Sequence, residues 1–244
     1  MGRMLLKISF DGTDFHGWQV QNNAITVQQI MCEALSSMLK NNISVTGCSR
    51  TDAGVHANEF YCHFDSPYDL PESAYVNGLN SVLPQSIVVF SAEKVSDDFH
   101  ARYSAKGKNY IYKFFDGDIL DPFSARYVYK SQTRLNENKM NEFCNQLIGT
   151  HNFVGFSSSK RTVVDTVRTI TDASVTREGD FVTLSVTADG FLYNMVRIIA
   201  GTALYVSEGK INPADTKKLI ELKSRDTLGL TAPAKALFLN KVIY

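Results

Sequence analysis

The segment Gly47-Cys48-Ser49-Arg50-Thr51-Asp52-Ala53-Gly54-Val55-His56-Ala57 gathers residue types that do chemistry. Asp52 stands among small or polar neighbours, with a cation two residues before it and a glycine two after. Glycine there permits close backbone approach or positive φ. An ionised carboxylate on such a loop has the chemistry of a nucleophile, and carboxylates attack sugar carbons in glycosidases. A plain Asx-turn, favoured by Asp and Gly, accounts for the same residues without any reaction. Arg197 is the second candidate, because it is the one charged residue between Met195 and Val206. An isolated buried charge is costly, so this guanidinium calls for a partner. Reaching to the surface, or binding a structural carboxylate, would also satisfy it. The third feature is Phe99–Phe115, with six aromatics, four Lys or Arg and no acid. Cations suit phosphates and π-faces suit unstacked bases, so this stretch points to RNA. Strand alternation would put Lys108, Tyr110, Tyr112 and Phe114 on one face, with Phe114 and its neighbour Phe115 read as core.

These residues need elements to position them. Met4–Phe10 reads as a strand and Asp11–Trp18 as a turn-rich stretch. Thr26 and Gln29 form a capping box ahead of Val27, Ile30, Met31, Ala34, Leu35, Met38 and Leu39 at helical spacing, and Asn41-Asn42 ends that helix. Ile43–Cys48 and Glu59–Phe64 read as strands, Ser73–Leu83 as a short helix and Ile87–Val95 as a strand. That order is the split βαβ arrangement of ferredoxin-like folds. The second half repeats it. A strand covers Lys108–Phe115, and a helix capped by Asn136 ends near Gly149. Two strands, Val163–Arg177 and Phe181–Ala188, join at Glu178-Gly179-Asp180. A long helix covers Phe191–Ser207, and a last strand covers Leu237–Tyr244. The expectation is an α+β protein of two ferredoxin-like, RRM-like halves, residues 1–104 and 105–244, with antiparallel sheets packed around a central cleft.

The 244 residues are enough for one large domain or two modest ones at roughly 150 residues each. Hydrophobic content of 44% with 20% charged residues excludes disorder, collagen and coiled coil. The net charge is zero, which argues against a nucleic-acid partner until the chain is divided. Residues 1–100 carry 5 basic and 11 acidic side chains, and residues 101–244 carry 20 and 14. An acidic half therefore holds the Asp52 loop and a basic half supplies most of the cations. The four cysteines show no CxxC spacing, so no zinc site is expected and the thiols read as reduced and cytosolic. No apolar run is long enough for a membrane span, nor Met1–Phe10 for a signal peptide.

The loop Arg50-Thr51-Asp52-Ala53-Gly54-Val55-His56 resembles the signature of the bacterial tRNA pseudouridine synthase A family. Four further blocks resemble that family in order along the chain. They are Phe10–Thr13 with Gly17-Trp18-Gln19, then Thr26-Val27-Gln28, then Asp97–Ala105, then Phe191–Arg197. The chain departs from it at Cys48-Ser49 and at Ala236-Leu237-Phe238-Leu239. The resemblance implies isomerisation of uridine to pseudouridine at tRNA positions 38, 39 and 40, in the anticodon stem-loop, without a cofactor or metal. It implies Asp52 as nucleophile, attacking C6 of uracil or C1′ of the ribose, with Arg197 as its charge partner. Tyr110 would lie against the target base as proton acceptor at C5, a role for which a phenol of pKa ~10 needs help from neighbours. Arg50 would fill the space of the flipped base or grip its phosphate, against the alternative of a surface pair with Asp14 or Asp65. Leu237 would line the substrate pocket, Trp18 and His16 its entrance, and His56 would pack the loop. Family members are homodimers, so tRNA and a second copy are the expected partners, in the cytoplasm. A non-catalytic RNA-binding protein of the same fold, and a nucleoside hydrolase with an aspartate nucleophile, are the competing readings.

Overall fold

The structure, a computed structural model, describes residues 2–158 and 163–244. It divides into two compact units, one of residues 1–106 with 238–244, the other of residues 107–237.

The first unit begins with strand β1 (Gly2–Phe10) and helix α1 (Val27–Leu39), followed by strands β2 (Thr46–Gly47) and β3 (His56–Ser66). Helix α2 (Glu72–Asn80) and strand β4 (Ile87–Val95) complete the motif. β1 lies between β3 and β4 and is antiparallel to both, and β2 adds to the other side of β3. This is the strand order expected of a ferredoxin-like half. Thr26 caps α1 by accepting from Gln29 N at 3.3 Å, but the Gln29 side chain donates to Glu33 and leaves the capping box half made. Val27, Met31, Leu35 and Leu39 form the buried stripe of α1. β2 is shorter than the strand expected over Ile43–Cys48. Ile43 N donates to the Ser36 hydroxyl and Val45 O accepts from the Gln28 amide, so helix side chains take the backbone groups a longer ladder would need.

Residues 99–104 are tied to this sheet. His63 Nδ1 accepts from Ala101 N at 3.1 Å, Arg3 donates to Phe99 O at 2.9 Å, and the Tyr244 hydroxyl donates to Ala101 O at 2.7 Å. Burial first, then the charges of Arg3 and His100, hold the His63 imidazole down at about 4. An unfolded histidine titrates near 6.5, so above that pH both states are neutral and His63 has no effect. Between pH 6.5 and 4 the unfolded chain takes a proton that the folded one refuses, and stability falls as pH falls. After allowance for partial solvent screening, the loss attributable to His63 is about 2 kcal/mol. Urea unfolding at pH 7 and pH 4.5 checks this. Wild type should lose that much more than His63→Asn, which keeps an acceptor but does not titrate, and equal losses would contradict it.

The second unit opens with strand β5 (Gly107–Phe115), the two-residue β6 (Tyr129–Lys130), helix α3 (Glu137–Leu147) and β7 (Gly149–Asn152). Strands β8 (Val167–Glu178) and β9 (Phe181–Ala188) turn at Gly179, and helices α4 (Met195–Ser207) and α5 (Thr216–Leu222) follow. Its sheet runs β5-β9-β8-β7, antiparallel throughout, with β6 parallel to β5. Asn136 caps α3 by accepting from Lys139 N at 3.0 Å. Gly149 directly follows the C-cap Ile148 of α3, at φ 119°, and also opens β7. The Asp116 carboxylate, fully buried, accepts from Arg177, Arg134 and Leu135 N, and so fastens the end of β5 to β8 and to the start of α3. These bonds hold its acid form down against the opposing effect of burial.

Two expectations need correcting. α4 starts at Met195 and not at Phe191, because Asn194 takes a left-handed conformation (φ 63°), which asparagine tolerates but a helix does not. The last strand, β10 (Leu237–Ile243), groups with the first unit from Phe238 onward, so the second unit does not run to residue 244. β10 pairs in parallel with β3, Phe238 opposite His56 and Leu239 opposite Ala57. Among the described residues no helix is long and apolar enough to cross a membrane.

Candidate active site

The Asp52 loop connects β2 to β3. Val55 N donates to Asp52 O at 3.2 Å, and Gly54 takes φ 77°, so Asp52–Val55 is a turn with glycine at the position that demands positive φ. The turn and the chemical reading are therefore compatible: the turn holds the carboxylate at a half-buried position.

The stretch Asp11–Trp18 supports the loop from beneath. Trp18 N donates to Thr51 O at 3.2 Å, and Gly54 N donates to Phe15 O at 3.2 Å. Phe15 N in turn donates to Gly12 O at 3.0 Å, and Gly12 N donates to His56 Nδ1 at 3.0 Å. Three of these bonds tie the stretch to the loop, one before Asp52 and two after it. Gly17, at φ 82°, lies with its Cα against the backbone of Thr51, Asp52 and Ala53, where a side chain would displace the loop. His56 is buried, stacks on Phe238 at 4.6 Å and has Nδ1 3.0 Å from Asp11 Oδ1 as well. It packs the loop, and Nδ1 serves either Gly12 as acceptor or Asp11 as donor.

Trp18 does not shape an entrance. It is 1% exposed, stacks on Phe60 at 4.2 Å and leaves room at Gly47 for glycine alone. His16 is exposed. Gly17 and the Asp11–Phe15 turn, a turn-rich stretch in the sequence with no chemistry of its own, are the groups that position the loop. Their signal was the glycine and turn density of residues 11–17.

Arg50 belongs to the first unit with Asp52 and is exposed. Asp65, one of the carboxylates considered for it, is engaged by Arg3 at 2.8 and 3.0 Å. The other three candidates belong to the second unit. Tyr110 is 6% exposed on β5, with its ring edge-on to Phe191 at 5.1 Å. Tyr112, on the same face, is core: it is buried, its hydroxyl donates to Pro233 O at 2.9 Å, and burial raises its pKa. Arg197 stands in the first turn of α4, half-buried. Its Nε donates to Ala232 O at 2.7 Å and a terminal nitrogen donates to Asn194 Oδ1 at 2.9 Å. Ala232 N donates back to Arg197 O at 3.1 Å. These bonds hold the guanidinium against the neutral oxygens of Ala232 and Asn194. Leu237 is 5% exposed at the start of β10. The four cysteines are free thiols, and no cluster of His, Cys, Asp or Glu among the described residues could hold a metal.

Comparison with known proteins is informative over the whole chain. The tRNA pseudouridine synthase family matches residues 7–104 and 143–244. A tRNA pseudouridine synthase A of Bacillus licheniformis is 44% identical over 99% of both chains. One of Thermoanaerobacter sp. strain X514 is 40% identical over 100% of both. Among solved structures, the archaeal box H/ACA Nop10–Cbf5 complex aligns with 83% of this chain and 44% of its own, at 12% identity and a TM-score of 0.35, too slight a likeness to bear on function. A match that spans both units and includes the Asp52 loop and the start of α4 places the chain in the tRNA pseudouridine synthase family.

Proposed function

We propose that this enzyme, an isomerase of uridine in tRNA, acts at positions 38, 39 and 40 of the anticodon stem-loop with Asp52 as nucleophile. The observation that carries the reading is the Asp52 turn, bonded on both flanks to residues 12–18 within a sequence that matches the family end to end. The target uridine leaves the stack, and Arg50, exposed beside Asp52, takes its space or its phosphate. The Asp52 carboxylate attacks C6 of uracil or C1′ of the ribose, and the N1–C1′ bond breaks. The uracil turns and a C5–C1′ bond forms. The C5 proton leaves to Tyr110 as acceptor and N1 takes up one proton in exchange; an ester at C1′ breaks as the C5–C1′ bond forms, an adduct at C6 breaks after it, and either way the Asp52 carboxylate is regenerated. The product has the composition of the substrate, so no cofactor enters. Arg197 keeps Asp52 ionised, since a nearby opposite charge favours the carboxylate. Leu237 walls the pocket. The enzyme works in the cytoplasm as a homodimer, each tRNA spanning both subunits.

The test is incubation with unmodified tRNA and mapping of pseudouridine in the anticodon arm. Pseudouridine at those positions supports the reading. Free uracil would mark a hydrolase, and binding without either product would mark a silent RNA-binding protein. Arg197→Met should slow single turnover by roughly a hundredfold to a thousandfold, the worth of one electrostatic stabiliser in a water-excluded site. Normal turnover in that variant removes the charge-pair role and leaves the rest.

A further inference from the structure

The composition of the basic, aromatic stretch Phe99–Phe115 points to RNA, yet the fold buries most of its rings. Tyr110, Tyr112, Phe114 and Phe115 are each 6% exposed or less, and Phe99 is half-buried against Tyr244. Tyr103 is the exception at 76% exposed. Its exposure is built and does not come from slack. His100 Nδ1 accepts from both Arg102 N and Tyr103 N, at 3.1 and 3.3 Å, and the next histidine, His63, accepts from Ala101 N. Three consecutive backbone donors are thus spent on two imidazoles. Ser104 closes the turn by accepting from His100 N and donating to His100 O. The His100 ring lies 4.3 Å from the tyrosine ring, tilted by 34°, and the Arg102 guanidinium stands 5.8 Å from its centroid.

We propose that Tyr103 and Arg102 form a second RNA-contact point, in which the tyrosine ring stacks an unpaired base of the tRNA and the guanidinium takes an adjoining phosphate. The inference rests on the tRNA reading above. A ring already held against His100 loses little freedom when a base covers it, which is what preorganisation contributes to binding. Base–aromatic stacking is sequence-tolerant, and Arg adds attraction to both the π-face and the phosphate. Lys106, exposed, adds a further cation, and no acid occurs from Phe99 to Phe115. The preceding acids, Asp97 and Asp98, act on Arg3. His63, which anchors the turn, is seven residues along β3 from His56 beside the Asp52 loop. At ~3.4 Å per residue that is about 24 Å, so the contact concerns a nucleotide other than the one that reacts.

The experiment measures tRNA affinity, KM and pseudouridine formation for Tyr103→Ala, Tyr103→Trp and Arg102→Gln in the full-length protein. Tyr103→Ala should weaken tRNA binding between about fivefold and a hundredfold, the range for one stacked base, with the loss carried by KM. Tyr103→Trp should restore binding. Arg102→Gln should reduce the salt dependence of binding by about one phosphate contact. Wild-type affinity in Tyr103→Ala overturns the proposal. So does a fall in dimer mass on sedimentation that accounts for the weaker binding, because the ring would then contact a second copy. A wild type that forms no pseudouridine sinks the tRNA reading itself, whereas pseudouridine formation with unchanged Tyr103→Ala affinity sinks this inference alone.

Discussion

Asp52→Asn should form pseudouridine at least about 10⁴-fold more slowly than wild type, while folding as well as it does. The amide matches the carboxylate in size, and backbone bonds hold the turn, Val55 N to Asp52 O and Trp18 N to Thr51 O. The side chain is half-buried, so its replacement removes little packing. What disappears is the negative charge and the lone pair that attacks carbon, and no neighbour in the loop from Cys48 to Val55 offers a second carboxylate. Covalent catalysis depends on that one atom, so the loss is far larger than that of any supporting residue. The check pairs pseudouridine mapping with thermal unfolding. A melting temperature within about 1 °C of wild type and no product support the role; full activity in Asp52→Asn defeats it.

Gly201→Ala should destabilise the second unit by at least about 3 kcal/mol and should reduce turnover as well. α4 is buried along almost its whole length, and Gly201 is where another backbone crosses it. A methyl group there would overlap the carbonyl of Leu230, and one on Gly229 would overlap the backbone of Gly201 and Thr202. A flexible side chain could move aside, but two backbones cannot. The helix propensity gained by alanine, about 1 kcal/mol, offsets only part of the overlap. Moving residues 229–232 also disturbs the site. Gly229 N is held by the Thr202 hydroxyl at 3.1 Å, and Ala232 exchanges two hydrogen bonds with Arg197. For a chain of this size the melting temperature should fall by roughly 6–12 °C. Denaturant unfolding and single-turnover rates measure the two effects. An alanine variant as stable as wild type would show that the crossing relaxes, and wild-type turnover in a destabilised variant would uncouple it from Arg197.

Some of this molecule is legible in the sequence alone. The Thr26 cap, the apolar stripe of α1, the Asn136 cap and the Gly179 hairpin turn rest on interactions within a few residues, and local pattern is sufficient for them. The strand–helix–strand–strand–helix–strand order of the first half follows from the same patterns. So does the Asp52 turn, whose residue types mark its shape. The division of charge between the halves was also plain from composition.

Other features depend on residues far apart in the chain, and periodicity carries no information about which partner a surface will meet. β2 shrank to two residues because Ser36 and Gln28, on α1, took the backbone groups around Ile43 and Val45. Trp18 read as a rim residue until Phe60 and Gly47 enclosed it. The strand after Leu237 has the alternation of any strand, and only its pairing with His56 and Ala57 returned it to the first unit. The six aromatics of Phe99–Phe115 look alike as letters. Burial took Tyr112, Phe114 and Phe115 as core and left Tyr103 exposed on His100, so the fold chose which rings stand open to solvent. Residue type and short-range spacing thus set the local shapes and the chemistry available, whereas long-range packing decided which of those groups face a substrate.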